Sequence, residues 1–259
     1  MFSLCTLASG SSGNSSVICS GTTSLLIDAG ISARRITTGL SMLAIAPTSL
    51  DGICITHSHT DHISGLRVLL KRTPACIYTT EATATALVHQ LPECAPRIRI
   101  IRTQEPFAIG TLTVTAFATP HDASGSVGFT MTDGVRKCAF VTDLGYVTEE
   151  VRQSILGAHL ALVEANHDVD WVRTGPYPPA LQARILGNKG HLSNESCAQL
   201  CCELAATGTQ RLILGHLSQE NNSPEHALSV VTSTLRRNGY CSIPVTVASR
   251  SEYGMPYEV

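Results

Sequence analysis

Four potential metal ligands, His57, His59, Asp61 and His62, stand together in the stretch His57-Ser58-His59-Thr60-Asp61-His62, directly after the apolar run Asp51-Gly52-Ile53-Cys54-Ile55. Neutral imidazoles and a carboxylate suit borderline divalent metals, and a tight turn at a strand end lets alternate side chains converge on one or two ions. Histidines that merely cap a following helix Asp61–Arg72 would account for one imidazole and one N-terminal acid, not for all four. Three more candidates share the placement behind an apolar run: His121 in ATPHDASGS, Asp143 in FVTDLG and His216 in LILGHLS. Strand ends that point one way build one cleft, and together these residues make a seven-ligand set. The tetrapeptide Gly-His-Leu-Ser also occurs twice, at 190–193 and 215–218. His216 follows an apolar run, whereas His191 does not.

The elements that must position these residues are legible as a change of period along the chain. FSLCTLA, SSVIC and TSLLIDAG read as short strands, followed by a helix from about Ser32 and the buried strand DGICIT. LTVTAFATPH, SVGFTMTD and RKCAFVTDLG alternate and are β-branched, with Asp133-Gly134 as a turn between antiparallel partners. After Thr148 the pattern predicts a helix, the strand LALVEAN and two or three helices. The strand RLILGH, a helix from about Pro224 to Asn238 and a last strand IPVTVA complete it. Two sheets, each covered outside by helices, accommodate this order in one α/β domain spanning 1–259.

At 259 residues, 43% hydrophobic and 15% charged, the chain can bury a core of that size. A formal net charge of −2 argues against a general polyanion-coating protein but is silent about one local grip on an anion. No apolar run approaches the roughly 18 residues that cross a bilayer, and the start MFSLCTLASGSSGNSS lacks a signal peptide's charged and apolar regions. The expectation is a cytoplasmic protein with no membrane partner, whose ten cysteines are reduced core residues. Cys197 and Cys201 stand one helical turn apart without companions at zinc-finger spacing.

The order His-x-His-x-Asp-His, then a lone His, a lone Asp and a final His, resembles the metallo-β-lactamase fold superfamily. The resemblance covers residues 2–248. It implies an αββα four-layer sandwich of two mixed sheets flanked by helices, with a binuclear site at their edge. By that resemblance His57, His59 and His121 hold one metal and Asp61, His62 and His216 the other, with Asp143 bridging. LLIDAG resembles the family's first motif, whose Asp28 steadies the ligand loop. The ligand set accepts zinc, manganese or iron. Two such ions about 3.5–4 Å apart share a water and lower its pKa toward about 7, which implies hydrolysis by a metal-bridged hydroxide that Asp61 helps to orient.

The substrate has to come from departures within that family. A β-lactamase is disfavoured by the missing export signal, and a glyoxalase-II-like thioesterase by TPHDASGS in place of Gly-His-Thr-x-Gly around His121. Glu164 in Glu-Ala-Asn and His191 in KGHLSNE resemble the Glu/His pair of the phosphodiesterase branch that includes transfer RNA 3′-processing endonucleases, with Asn166 where that branch has Thr. A carboxylate on one ring nitrogen orients the imidazole and leaves the other to protonate a departing alkoxide. Ser11, Ser12, Gly13 and Asn14 in ASGSSGNSS, with Asn166, Ser218 and Asn221, are candidate substrate contacts. The combination is similar to the bacterial YycJ/WalJ-type subgroup of DNA exonucleases, implying a phosphodiesterase that acts on DNA from a 5′ end. A small-phosphodiester hydrolase, a thioester or lactone hydrolase, and a nucleic-acid-binding protein that merely retains the fold remain the alternatives. Basic clusters at Arg34-Arg35, Arg67 with Lys71-Arg72, Arg184 with Lys189, and Arg236-Arg237 read first as solvated helix faces. Oligomeric state is not legible.

Overall fold

The structure, a computed structural model, describes residues 2–259. β1 (Phe2–Ala8), β2 (Ser15–Ser20) and β3 (Thr23–Ile27) run antiparallel, and α1 (Ala33–Met42) carries the chain to β4 (Gly52–Cys54), parallel to β3. The short helices α2 (Thr60–Ile63) and α3 (Leu66–Leu69) lead to β5 (Cys76–Thr79), α4 (Glu81–Gln90) and β6 (Ile98–Ile100), again parallel. The second half repeats the scheme. β7 (Phe107–Ile109), β8 (Leu112–Ala118), β9 (Val127–Thr132) and β10 (Lys137–Val141) are antiparallel, and α5 (Glu149–Ile155) leads to β11 (Leu160–Glu164), parallel to β10. α6 (Val169–Thr174), α7 (Pro179–Leu186) and α8 (Asn194–Ala206) precede β12 (Arg211–Gly215), and α9 (Pro224–Arg237) precedes β13 (Val245–Val247). β14 (Tyr257–Glu258) returns to pair with β1.

The resulting sheets have the orders β14-β1-β2-β3-β4-β5-β6 and β13-β12-β11-β10-β9-β8-β7. Phe2, Leu4, Ile18, Phe129 and Leu162 fill the space between them. Leu7, Ile36, Leu66 and Leu87 pack the first sheet against its helices, and Val163, Val151, Leu200 and Val231 pack the second. This is the four-layer αββα sandwich. Strands covered on both faces read as unbroken apolar runs, as in β11, whereas β8 alternates because one of its faces is partly open. Serine and threonine N-caps at Ser32, Thr80, Thr148, Ser193 and Ser223 start α1, α4, α5, α8 and α9 by accepting a first-turn N–H.

Two sequence expectations need correction. The stretch Asp61–Arg72 is not one helix but α2 and α3, broken at Ser64-Gly65. Gly65 donates its N–H to Ala29 O at 2.8 Å, and a Cβ on it would lie 1.9 Å from Ile31 O, so packing against the Asp28-Ala29-Gly30 loop overrides helix continuation. Cys241 is exposed and Cys19, Cys76 and Cys202 are only partly buried, unlike the buried Cys5, Cys54, Cys94, Cys138, Cys197 and Cys201. Among the described residues no helix is long and apolar enough to cross a membrane.

Candidate metal centre

Asp28, His57, His121, Asp143, Glu164 and His216 all sit at or just beyond the C-terminal ends of β3, β4, β8, β10, β11 and β12. Three of them leave their strands through left-handed backbone, with φ of 58° at Asp28, 60° at Asp143 and 56° at His216. Such a conformation costs a residue with a Cβ roughly 1–2 kcal/mol, so local bonds must hold it. Asp28 N donates to Cys54 O, and His216 N donates to the hydroxyl of Ser9, both at 2.9 Å. The turns swing these side chains off the sheets toward the His57–His62 loop. Gly30 permits that loop to close, since a Cβ there would fall 1.6 Å from Asp61 O.

The seven expected ligands converge. His121 Nε2 lies 3.3 Å from His59 Nδ1, and these two group with His57. His62 Nε2 lies 3.4 Å from both Asp61 Oδ2 and Asp143 Oδ2. His216 Nε2 is 3.6 Å from Asp61 Oδ2 and 3.5 Å from Asp143 Oδ1, and the latter oxygen is 3.8 Å from His121 Nε2. Asp143 thus touches both groups. Around an ion bound tetrahedrally at about 2.0–2.2 Å, neighbouring ligand atoms are about 3.3–3.6 Å apart, the spacing seen here. His57 Nε2, Asp143 Oδ2 and His216 Nε2 are buried and have no hydrogen-bond partner among the described residues. Each orphaned group of this kind costs about 1–3 kcal/mol unless something else satisfies it. Three such atoms turned into one imidazole–carboxylate cluster fit a divalent metal.

The opposite ring nitrogens are each committed. His62 Nδ1 donates to Asp28 Oδ2 at 2.7 Å, while Asp28 Oδ1 accepts from Thr56 N at 2.9 Å. The Thr56 hydroxyl lies 3.0 Å from His57 Nδ1. His121 Nδ1 faces Gly190 O at 3.2 Å. Glu164 Oε1 receives both His191 Nδ1, at 2.7 Å, and His216 Nδ1, at 2.9 Å, and its Oε2 accepts from Leu144 N and Leu192 N. Once each ring is neutral with its remaining proton on Nδ1, the Nε2 of His62 and of His216 presents a lone pair toward the cluster. The Glu164–His191 contact lies where the sequence placed it, but the same oxygen also aligns His216.

Charges in the cluster balance against burial. Burial pulls the His57 imidazole well below its ordinary value, and the neighbouring His62 adds to this, so His57 is neutral. For His62 burial acts the same way but Asp143 and Asp28 outweigh it, and its proton is held up to about 10. His216 is likewise raised against burial, by Asp143, Asp61 and Glu164. Burial works against the Glu164 charge, yet His191 and His216 bring it down to about 2, so it is ionised at neutral pH.

A cavity of about 160 Å³ opens beside the cluster, with Ser11, Asn166, Ser218, His121 and His191 on its wall and Tyr177, Leu181, Arg184 and Lys189 around it. Of the expected substrate contacts, Ser11, Asn166 and Ser218 therefore reach the cavity, although the Asn166 amide also donates to His216 O at 2.9 Å. Ser12, Gly13, Asn14 and Asn221 do not line it. Ser12 is exposed elsewhere, and a Cβ on Gly13 would meet Gly30 O at 2.6 Å. Asn14 is buried: its Oδ1 accepts from Gly10 N, and its Nδ2 donates to Gly10 O and abuts His62 Nε2 at 3.1 Å. It is a strut for the ligand loop. Asn221 is buried below the surface. His191 precedes rather than caps α8, whose cap is Ser193.

Sequence reasoning missed Thr56, Ser9 and Asp122. Asp122 Oδ1 is 3.4 Å from His59 Nε2 and from His121 Nε2, and its Oδ2 accepts from Arg184 Nε at 2.6 Å. Adjacency to His121 was the available signal. The Arg184–Lys189 cluster belongs to the cavity, while Arg67 pairs with Glu93 at 2.6 Å on the surface.

The sequence profile of the β-lactamase superfamily domain matches residues 23–217. The exodeoxyribonuclease YycJ of Bacillus anthracis is 33% identical over 235 residues, covering 90% of this chain and 89% of that one. The exodeoxyribonuclease WalJ of Streptococcus pneumoniae serotype 2 is 35% identical over 232 residues, covering 88% of this chain and 86% of that one. Among solved structures, the metallo-β-lactamase fold protein YhfI from Bacillus subtilis superposes with a TM-score of 0.74 at 18% identity, over the full length of both chains.

Proposed function

The chain belongs to the β-lactamase superfamily, alongside exodeoxyribonucleases YycJ and WalJ, and on that premise we propose that it is a two-metal DNA exonuclease that works from a 5′ end. It is a metal-dependent hydrolase of phosphodiesters. His57, His59 and His121 would hold one divalent ion, zinc or manganese, and Asp61, His62 and His216 the other, with Asp143 in reach of both groups. When bound, the ions supply Lewis acidity toward the phosphoryl oxygens and acidify the attacking water.

The observation that carries the reading is the 2.7 Å bond from His191 Nδ1 to Glu164 at the edge of the ligand cluster. Hydrolysis of a thioester places no such demand, because a thiolate departs unprotonated, but an alkoxide leaving a phosphodiester needs a proton. Glu164 fixes the imidazole of His191, which is 22% exposed on the cavity wall, so that Nε2 faces the substrate and donates to the leaving oxygen. His191 then regains that proton from water. Asp61, a quarter exposed and held by His62 and His216, orients the nucleophile and accepts its hydrogen bond. Arg184 and Lys189 at the cavity attract the phosphates on either side of the scissile one.

The test is to load purified protein with zinc or manganese and offer 5′- and 3′-labelled duplex and single-stranded DNA together with bis-p-nitrophenyl phosphate. Stepwise, chelator-sensitive release of mononucleotides from the 5′ end is expected. A failure to cleave any phosphodiester with any metal rejects the proposal. Release from the 3′ end rejects only the polarity, and internal cuts reject the exonuclease mode while leaving a phosphodiesterase.

A further inference from the structure

We infer that the stacked pair Trp171–His226, carried by the segment between the cavity residues Asn166 and Tyr177 and by α9, is a platform for an unpaired base of the nucleic-acid strand held at the metal centre. This rests on the phosphodiesterase reading of that centre. Trp171 is the single tryptophan of the chain, and α6 presents it 41% exposed. Its ring lies 5.1 Å from the His226 imidazole at an interplanar angle of 18°.

The pair is built as one rigid unit. Asp168 uses Oδ1 to accept from Trp171 N at 2.9 Å, capping the helix that carries the indole, and Oδ2 to hold His226 Nε2 at 2.8 Å. The backbone of His226 is fixed in turn by the Ser223 hydroxyl at 3.1 Å. A ring surface set in advance loses little side-chain freedom when another ring stacks on it.

Its position follows from the chain. Asp168 is two residues beyond Asn166 on the cavity wall, a step of at most about 7 Å, and Tyr177, just past α6, returns to the cavity. Gln182 Nε2 ties that return by bonding Tyr177 O at 3.0 Å. The surrounding charge selects what can sit on the platform. Asp168 faces His226 and Asp170 faces Arg173 at 4.0 Å, so the platform carries no surplus of positive charge to draw a phosphate, whereas Arg184 and Lys189 attract phosphates at the cavity. An uncharged flat base is the part of the strand that fits against the indole, and stacking accepts any base because each has a π-face.

Trp171→Ala is expected to raise KM for single-stranded DNA by about tenfold with kcat changed less than about twofold, and Trp171→Phe to restore most of the loss. Because the chain has one tryptophan, intrinsic fluorescence reads this residue alone. Titration of metal-loaded His191→Ala protein with oligothymidylate is expected to quench it in step with the anisotropy of a labelled strand. A parallel oligouridylate titration shows whether DNA or RNA supplies the base. An unchanged KM in protein that cleaves the strand, or an unquenched indole while the anisotropy shows the strand bound, overturns the platform and leaves the phosphodiesterase reading standing. Absence of cleavage of every phosphodiester overturns both.

Discussion

Replacing Glu164 by Gln removes one acceptor from a place where four donors meet. His191 Nδ1 at 2.7 Å and His216 Nδ1 at 2.9 Å share Oε1, and Leu144 N at 3.0 Å and Leu192 N at 3.3 Å share Oε2. The glutamine oxygen can serve one pair, and its NH2 then faces the other. Two buried donors left unmet, at about 1–3 kcal/mol each, lower stability by about 2–6 kcal/mol. For a chain of this length that is a fall in Tm of about 5–20 °C. If the NH2 turns toward the histidines, His216 can accept from it only by moving its proton to Nε2, which removes a lone pair from the metal cluster. If it turns toward the backbone, metal is retained but the loss of stability remains. In the first orientation the aligned His191 is also lost and cleavage of DNA should drop by about 100-fold or more, whereas in the second His191 keeps a neutral acceptor and the loss is smaller. Thermal unfolding of metal-free and metal-loaded protein, with elemental analysis of each, separates the two orientations. A variant with an unchanged Tm, full metal content and full activity would refute the reasoning.

Asp28→Ala leaves the Thr56 N–H and the His62 Nδ1–H without their acceptor and should weaken metal binding about 10- to 100-fold, read by competition with a chromogenic chelator. Metal affinity should also depend on pH. Despite burial, Asp143 and Asp28 hold the His62 proton up to about 10, and His216 is raised too. Those protons must leave before Nε2 can ligate, so affinity rises with pH and falls as pH drops, about tenfold per unit for each proton displaced. Calorimetry in buffers of different ionisation enthalpy checks this, since an apparent binding enthalpy independent of buffer would mean that no proton is released.

The convergence of His57, His59, Asp61, His62, His121, Asp143 and His216 was legible because their residue types are rare in combination and they follow apolar strands, so that they could be proposed as ligands from order. The two sheets were legible from the switch between alternating and continuous apolar runs. What escaped depends on backbone direction and burial. No spacing reveals that Asp28, Asp143 and His216 turn through left-handed backbone, or that Thr56 and Ser9 lie in reach of them. Asn14 and Asn221 look like surface polar groups in Gly- and Ser-rich surroundings, yet tertiary packing buries both. β5, β6, β7 and β14 were missed because runs of two to four residues carry no period, and only their pairing defines them.

The doubled Gly-His-Leu-Ser resolves into two parts: Glu164 aligns His216 toward the metal cluster and His191 toward the cavity. The most direct test of that division is the kcat/KM of His191→Ala, at equal metal content, on DNA and on bis-p-nitrophenyl phosphate, whose leaving group departs without a proton. A loss of about 100- to 10,000-fold on DNA with a far smaller loss on the activated diester is the expected result. Equal losses on both substrates, or a loss of bound metal, would contradict the role of His191 in leaving-group departure.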